Sequence, residues 1–144
     1  MSARNWLPTV LRARQAQEDL AARQVALARR EASLAIAQHD AQQARVVALG
    51  RPAAGTVAQF QAELVGQQQA AATLAASANR VMFAEGRVAT GLHDLTDAAT
   101  ARRAVEKLHE RDEENRLRTA NDVAQREQDE VSISRHAADR KAAG

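Results

Sequence analysis

One break interrupts what otherwise reads as helix from about Trp6 to about Ala138: the run Gly50-Arg51-Pro52-Ala53-Ala54-Gly55-Thr56. Gly50 follows the last apolar residue of the first arm, Leu49, as a C-terminal cap does, and Pro52 forbids helical continuation because its ring clashes with the preceding turn and it has no N–H. Thr56 then offers an N-cap hydroxyl, and Gln59 three residues later completes a capping box. A single break in a long amphipathic helix specifies a hairpin. A seven-residue connection cannot return the chain for a parallel partner, so the arms are antiparallel.

Composition narrows the class further. Alanine supplies 35 of the 65 hydrophobic residues, and only Trp6, Phe60 and Phe83 are aromatic. A globular core would be thin. Ala, Arg, Gln, Glu and Leu dominate, as in long helices and coiled coils, and Pro occurs only at 8 and 52. The expected fold is all-α, an elongated antiparallel two-helix coiled-coil hairpin forming one domain over 1–144, with helix one at about 6–49, the turn at 50–56 and helix two at about 57–138.

The first arm carries Leu20, Leu27 and Leu34 at a strict spacing of seven, with Trp6, Ala13, Ala41 and Ala48 on the same phase. That spacing predicts the seam of the coiled coil, with the three leucines dominating the arm's stability. The intervening positions, Val10 and then Gln17, Gln24, Glu31 and Gln38, are mostly polar. In the second arm Val57, Phe60, Leu64, Gln67, Ala71, Leu74, Ala78, Val81, Glu85, Val88, Leu92, Leu95 and Ala99 alternate by three and four and predict a second seam. An arm from Trp6 to Leu49 is about 66 Å long and can cover its partner only to about Ala99 or Ala101. About forty residues of charged helix then overhang. Gly86 and Gly91 each cost roughly 1 kcal/mol relative to Ala inside a helix, which leaves open a three-helix alternative with a bend near Gly91 to Thr96.

Charge and motif content exclude most chemistry. The net charge is +2, and the densest charge, ten basic and ten acidic residues over 101–144, is mixed rather than one-signed. Nucleic-acid binding calls for a one-signed patch, so no nucleic-acid partner is expected. With no cysteine there is neither a disulfide framework nor a thiolate metal site. The start, Met1 to Pro8, lacks the apolar run of a signal peptide, and no stretch of about 18 apolar residues exists for membrane insertion. Gly50-x-x-x-x-Gly55-Thr56 has the outline of a phosphate loop but lacks its lysine and its strand, so it reads as a turn. His109-Glu110-x-x-Glu113 lacks the second histidine of a zinc-protease helix, and His39, His93 and His136 read as isolated surface residues. Neither a cofactor nor a metal is expected, and without a concavity to desolvate a carboxylate, neither is catalysis.

The overhang carries the sharpest functional signal. Asp112 to Arg116, Glu114 to Arg118 and Asp122 to Arg126 are acidic-before-basic pairs at i and i+4, which keep a solvated helix helical. Val105, Leu108, Leu117 and Val131 interrupt the charge, and Ala120 and Ala124 join them on a shifted row. The segment reads as a surface for a protein partner.

Here the residues resemble a family. The run Val105-Glu106-Lys107-Leu108-x-Glu110-Arg111, then Glu113-Glu114 and Arg126-Glu127-Gln128-Asp129-Glu130-Val131, is similar to the C-terminal signature of FliJ, the small coiled-coil protein of bacterial flagellar export. The opening Leu7-x-x-Val10-Leu11-Arg12-x-Arg14-x-x-Gln17-Glu18 also resembles the start of FliJ chains. The resemblance implies a cytoplasmic, non-enzymatic protein at the inner-membrane face of the flagellar base. It implies binding to the flagellar export ATPase hexamer as a central stalk, and to the cytoplasmic domain of the export gate and export chaperones. The implied partner-binding residues are Val105, Glu106, Lys107, Leu108, Glu110, Arg111, Glu113, Glu114, Leu117, Arg126, Glu127, Gln128 and Val131. FliJ tails usually read more basic around Asp112 and Asp129 and often carry a tyrosine near Asn115, departures that bear on individual ion pairs. The stalk of a virulence-type III secretion system and a structural coiled coil that oligomerises through its leucine row are the other readings of the same pattern.

Overall fold

The computed structural model describes residues 6–52 and 55–144; residues 1–5 and Ala53–Ala54 of the turn lie outside the described residues. Two helices account for the described chain: α1, Leu7–Leu49, and α2, Val57–Ala143. The fold is the all-α two-helix hairpin the break specifies. α2 runs as one helix through Gly86 and Gly91 to Ala143, so the third helix is not formed.

The helix ends follow from local chemistry. Pro8 sits in the first turn of α1, where its missing N–H has no intrahelical partner to lose. Val10 N–H donates to the Trp6 carbonyl at 3.0 Å, opening the helix. At the other end Gly50 takes φ +58°, the left-handed conformation that costs a glycine nothing, and its N–H bonds the Val47 carbonyl at 3.3 Å. The capping box of α2 forms as expected. Gln59 N–H donates to Thr56 Oγ1 at 3.2 Å, and Thr56 N–H donates to Gln59 Oε1 at 3.1 Å.

The chain divides into two compact units, residues 14–100 and residues 1–13 with 101–144. In the first of these, the face of α1 that α2 covers is Glu18, Ala21, Val25, Ala28, Ala32, Ala35, His39, Gln42 and Val46, an unbroken alternation of three and four. α2 answers with Gln67, Ala70, Leu74, Ser77, Val81, Ala84, Val88, Gly91, Leu95 and Ala98. Val25, Ala84 and Ser77 are the most enclosed, at 4, 3 and 5 % exposure. A Cβ added to Gly91 would stand 3.2 Å from Val25 Cγ2, so the helices approach too closely there for any larger residue to fit without displacement.

This seam corrects the sequence reading of α1. Leu20, Leu27 and Leu34 are 55, 56 and 65 % exposed and lie outside the face that α2 covers. A coiled coil buries two rows, and the rows flanking the leucines are polar: Gln24 and Glu31 on one side, Arg23 and Arg30 on the other. One residue further on, the alanine row has Val25, Ala32 and His39 beside it, and together they form a double stripe. Avoiding buried unpaired polar groups outweighs burying three leucines. On α2 one row was anticipated, Gln67, Leu74, Val81, Val88 and Leu95; the other lies one residue earlier, at Ala70, Ser77, Ala84, Gly91 and Ala98 instead of Ala71, Ala78, Glu85, Leu92 and Ala99.

The turn is also offset. The Gln67 side-chain amide donates to the Gly50 carbonyl, which sets the end of α1 level with a residue ten positions into α2. Residues 57–65 are accordingly exposed, among them Val57, Phe60, Leu64 and Val65.

In the second unit, Leu7 is 5 % exposed, and Pro8, Val10 and Leu11 are half-buried. Trp6 and Leu7 share a groove with Leu108, Arg111, Asp112 and Asn115 of α2. The start of α1 is therefore covered by residues some ten positions beyond Ala101, further along α2 than equal pairing from the turn would place them.

Candidate partner-binding surfaces

Two polar side chains inside the pairing face, Ser77 and His39, bond each other. Ser77 Oγ–H donates to the Leu74 carbonyl at 2.7 Å, which leaves its oxygen to accept from His39 Nδ1–H at 3.0 Å. This fixes the histidine tautomer and places a directional bond among alanines. His39 is thus half-buried and partnered, not an isolated surface residue. His93 is also partnered, 3.4 Å from Asp97 one turn on, with both side chains mostly exposed. His109 lies half-buried on the inner face of α2 between Val105 and Asp112. No group of three metal-ligating side chains occurs among the described residues.

The segment singled out in the sequence divides in two. Val105 and Glu106 are half-buried, and Glu106 accepts from Arg102 at 2.7 Å. Leu108 is half-exposed at the rim of the groove with Trp6 and Leu7. Asp112, 6 % exposed, is the last enclosed residue of α2. Its carboxylate is 3.5 Å from Arg116 Nε, the first of the expected i, i+4 pairs, and Arg116 also reaches Glu113 at 3.3 Å. Asp112 lines the same groove as Trp6 and Leu7 at the start of α1, the helix end whose dipole favours an anion.

From Glu113 to Gly144 every residue is exposed. Lys107, Glu110, Arg111, Glu113, Glu114, Leu117, Arg126, Glu127, Gln128 and Val131 all lie on this open part of α2 or just before it. Leu117 is 64 % and Val131 50 % exposed. Leu117, Ala124 and Val131 stand at intervals of seven, on one side of the helix. Next to them runs an open groove lined by Asp112, Asn115, Arg116, Thr119, Ala120, Val123, Ala124 and Glu127. Val123 belongs to this groove and Ile133 lines another further along with Ser132, His136, Ala137 and Arg140, and the sequence reading missed both. The signal was present: carried on from Val105, His109 and Asp112, the pairing phase passes through 116, 119, 123, 126, 130 and 133.

A second exposed surface lies on the 14–100 unit. Leu34 and Phe83 line one groove with Glu31, Ala35, Gln38, Arg80 and Arg87. Arg87 bonds Glu31 at 2.9 Å and lies 5.6 Å from the centroid of the Phe83 ring. Phe83 itself is 71 % exposed.

Long helices paired through small residues, with open grooves on their outer faces, define a two-helix hairpin of the coiled-coil class. Neither the curated proteins nor the solved structures yielded a match. The family model described as Flagellar FliJ protein matches residues 4–141, and the chain belongs to the FliJ family. It is therefore a flagellar export-related protein. No helix among the described residues is long and apolar enough to cross a membrane.

Proposed function

We propose that this chain is the central stalk of the flagellar export ATPase ring, held through the open part of α2 and assisting ring assembly and export. The observation that carries the reading is a helical segment, residues 113–143, with apolar side chains at helical spacing and no covering surface. An apolar row on a solvated helix gains burial when another protein covers it, as in helix-in-groove recognition. The mixed charge around it, Glu113, Glu114, Arg116, Arg118, Arg126 and Glu127, suits reversible engagement of ring subunits, because the acidic and basic groups set register without a large apolar patch. ATP hydrolysis belongs to the ring. The cytoplasmic domain of the export gate and export chaperones are further partners in this reading, which places the chain at the cytoplasmic face of the inner membrane.

The test is co-purification with the export ATPase. A chain ending at Arg116 retains Leu108 and Asp112, which line a groove with Leu7, together with the Asp112–Arg116 pair, and removes the rest of the open segment. Wild type should retain the ATPase, while this truncation and the full-length double variant Leu117→Asp/Val131→Asp should lose it. Equal retention by all three would overturn the assignment.

A further inference from the structure

The leucine row that α2 leaves uncovered needs an occupant, and its two flanks identify one. Leu20, Leu27 and Leu34 recur every seven residues on α1 and are each more than half exposed, the geometry of a helix–helix seam with one helix absent. About this row, helical periodicity puts Arg23 and Arg30 on one flank and Gln24 and Glu31 on the other. The Glu31 flank is the one nearer α2, since Glu31 Oε2 bonds Arg87. One flank is thus basic and the other acidic or neutral.

We propose that the outer face of α1 binds a second copy of this chain, with the two α1 helices parallel about a two-fold axis running along the leucine row. The flanks decide both occupant and direction. In a parallel pair opposite flanks meet, so Glu31 faces Arg30 of the second copy, Arg30 faces its Glu31, and Gln24 faces its Arg23. Glu31 Oε2 keeps Arg87, and Oε1 is the oxygen this bond would use. In an antiparallel pair like flanks meet, and Arg23 would lie against Arg30 of the second copy, a like-charge contact that opposes the arrangement. Leu20, Leu27 and Leu34 each meet their own equivalent across the axis, and Phe83, beside Leu34, adds apolar surface on the acidic flank. Four large side chains cover less than the roughly 800 Å² per partner of a standard interface, the size of a weak association that depends on concentration.

The chain has no cysteine, so single cysteines report the geometry directly. Leu20→Cys, Leu27→Cys and Leu34→Cys should each form a homodisulfide under mild oxidation, and a mixture of Leu20→Cys with Leu34→Cys should give no mixed species. Ala22→Cys, exposed on another side of α1, should form disulfide at least about tenfold more slowly. Wild-type mass should rise from 15.6 kDa toward twice that value with concentration in sedimentation equilibrium. Leu27→Glu should stay monomeric with unchanged circular dichroism. Arg30→Glu should weaken association about tenfold or more, and adding Glu31→Arg should restore it. Four results would each overturn the proposal: a homodisulfide at Leu27→Cys alone with the mixed species formed, Ala22→Cys capture as fast as at the leucines, a mass of 15.6 kDa up to millimolar concentration, or no rescue by the charge swap.

Discussion

Deleting two methyl groups from Val25 should destabilise the hairpin more than deleting three carbons from Leu27, two residues away. Val25 is 4 % exposed and packs against Gly91. Val25→Ala removes about 0.8 kcal/mol of burial for each carbon and leaves a void, so even after the roughly 0.5 kcal/mol that alanine gains over valine in helix propensity the expected loss is about 1.5 to 2 kcal/mol. Leu27 is 56 % exposed, so less than half of its roughly 2.4 kcal/mol of transfer energy is realised in the monomer, and alanine's better helix propensity offsets part of that. Leu27→Ala should therefore cost about 1 kcal/mol or less. The close approach of Gly91 adds a third arm to the experiment. Gly91→Ala gains about 1 kcal/mol of helix propensity, but in the wild type its Cβ would meet Val25 Cγ2 at 3.2 Å, so the net effect should be near zero. In the Val25→Ala background that contact is gone and the full gain should appear. The coupling in the double-mutant cycle should then be about 0.5 to 1 kcal/mol. Urea unfolding followed at 222 nm, at protein concentrations low enough to keep the chain monomeric, measures all four species. A larger loss for Leu27→Ala than for Val25→Ala would mean that the leucine row is the seam after all. Zero coupling would mean that Gly91 and Val25 are not in contact.

Asp112→Asn should lower stability by about 0.5 to 1 kcal/mol, since it removes a charge from the groove at the start of α1 and from Arg116; an unchanged urea midpoint would deny the carboxylate that role. His39→Ala and Ser77→Ala should each cost about 1 kcal/mol or less, because Ser77 keeps its bond to the Leu74 carbonyl and the half-buried histidine regains water, yet they should couple by about 0.5 kcal/mol in a double-mutant cycle. Strict additivity of the two would refute the bond. Arg87→Gln should cost under about 0.5 kcal/mol and lose even that at high salt, because the Arg87 and Glu31 side chains are both more than half exposed; a larger, salt-insensitive loss would show that the guanidinium packs on Phe83 more than it pairs.

What could be read from the sequence was what depends on neighbours along the chain. The Gly50 cap and the Thr56–Gln59 box involve residues at most a few positions apart, and both form as their chemistry requires. The seam depends on residues far apart in sequence, 38 positions at His39 and Ser77 and 66 at Val25 and Gly91, and there the strongest single pattern misled. Leucines attract attention because they bury the most area, whereas pairing selects the stripe on which both rows tolerate a neighbouring backbone. Alanine, serine and glycine carry that tolerance but give little periodic signal in a chain with 35 alanines. The extent of pairing was misjudged for a related reason: no local rule relates Gly50 to Gln67. In the candidate site, the exposure of Leu117 and Val131 was readable from a charged, periodic tail. The half-burial of Val105 and Glu106 was not, because it depends on where the first residues of α1 lie.

The bond from Gln67 to Gly50 also separates the length of the connection from the alignment of the arms. Pairing begins at Gln67, so everything between Gly50 and that residue can change in length without moving any residue of the seam relative to its neighbour. Closing a longer loop costs only about 0.6 kcal/mol per doubling. A reporter domain or an affinity tag inserted between Pro52 and Thr56 should thus leave the helices in register, which makes this turn the natural place to attach a probe while both chain ends stay untouched.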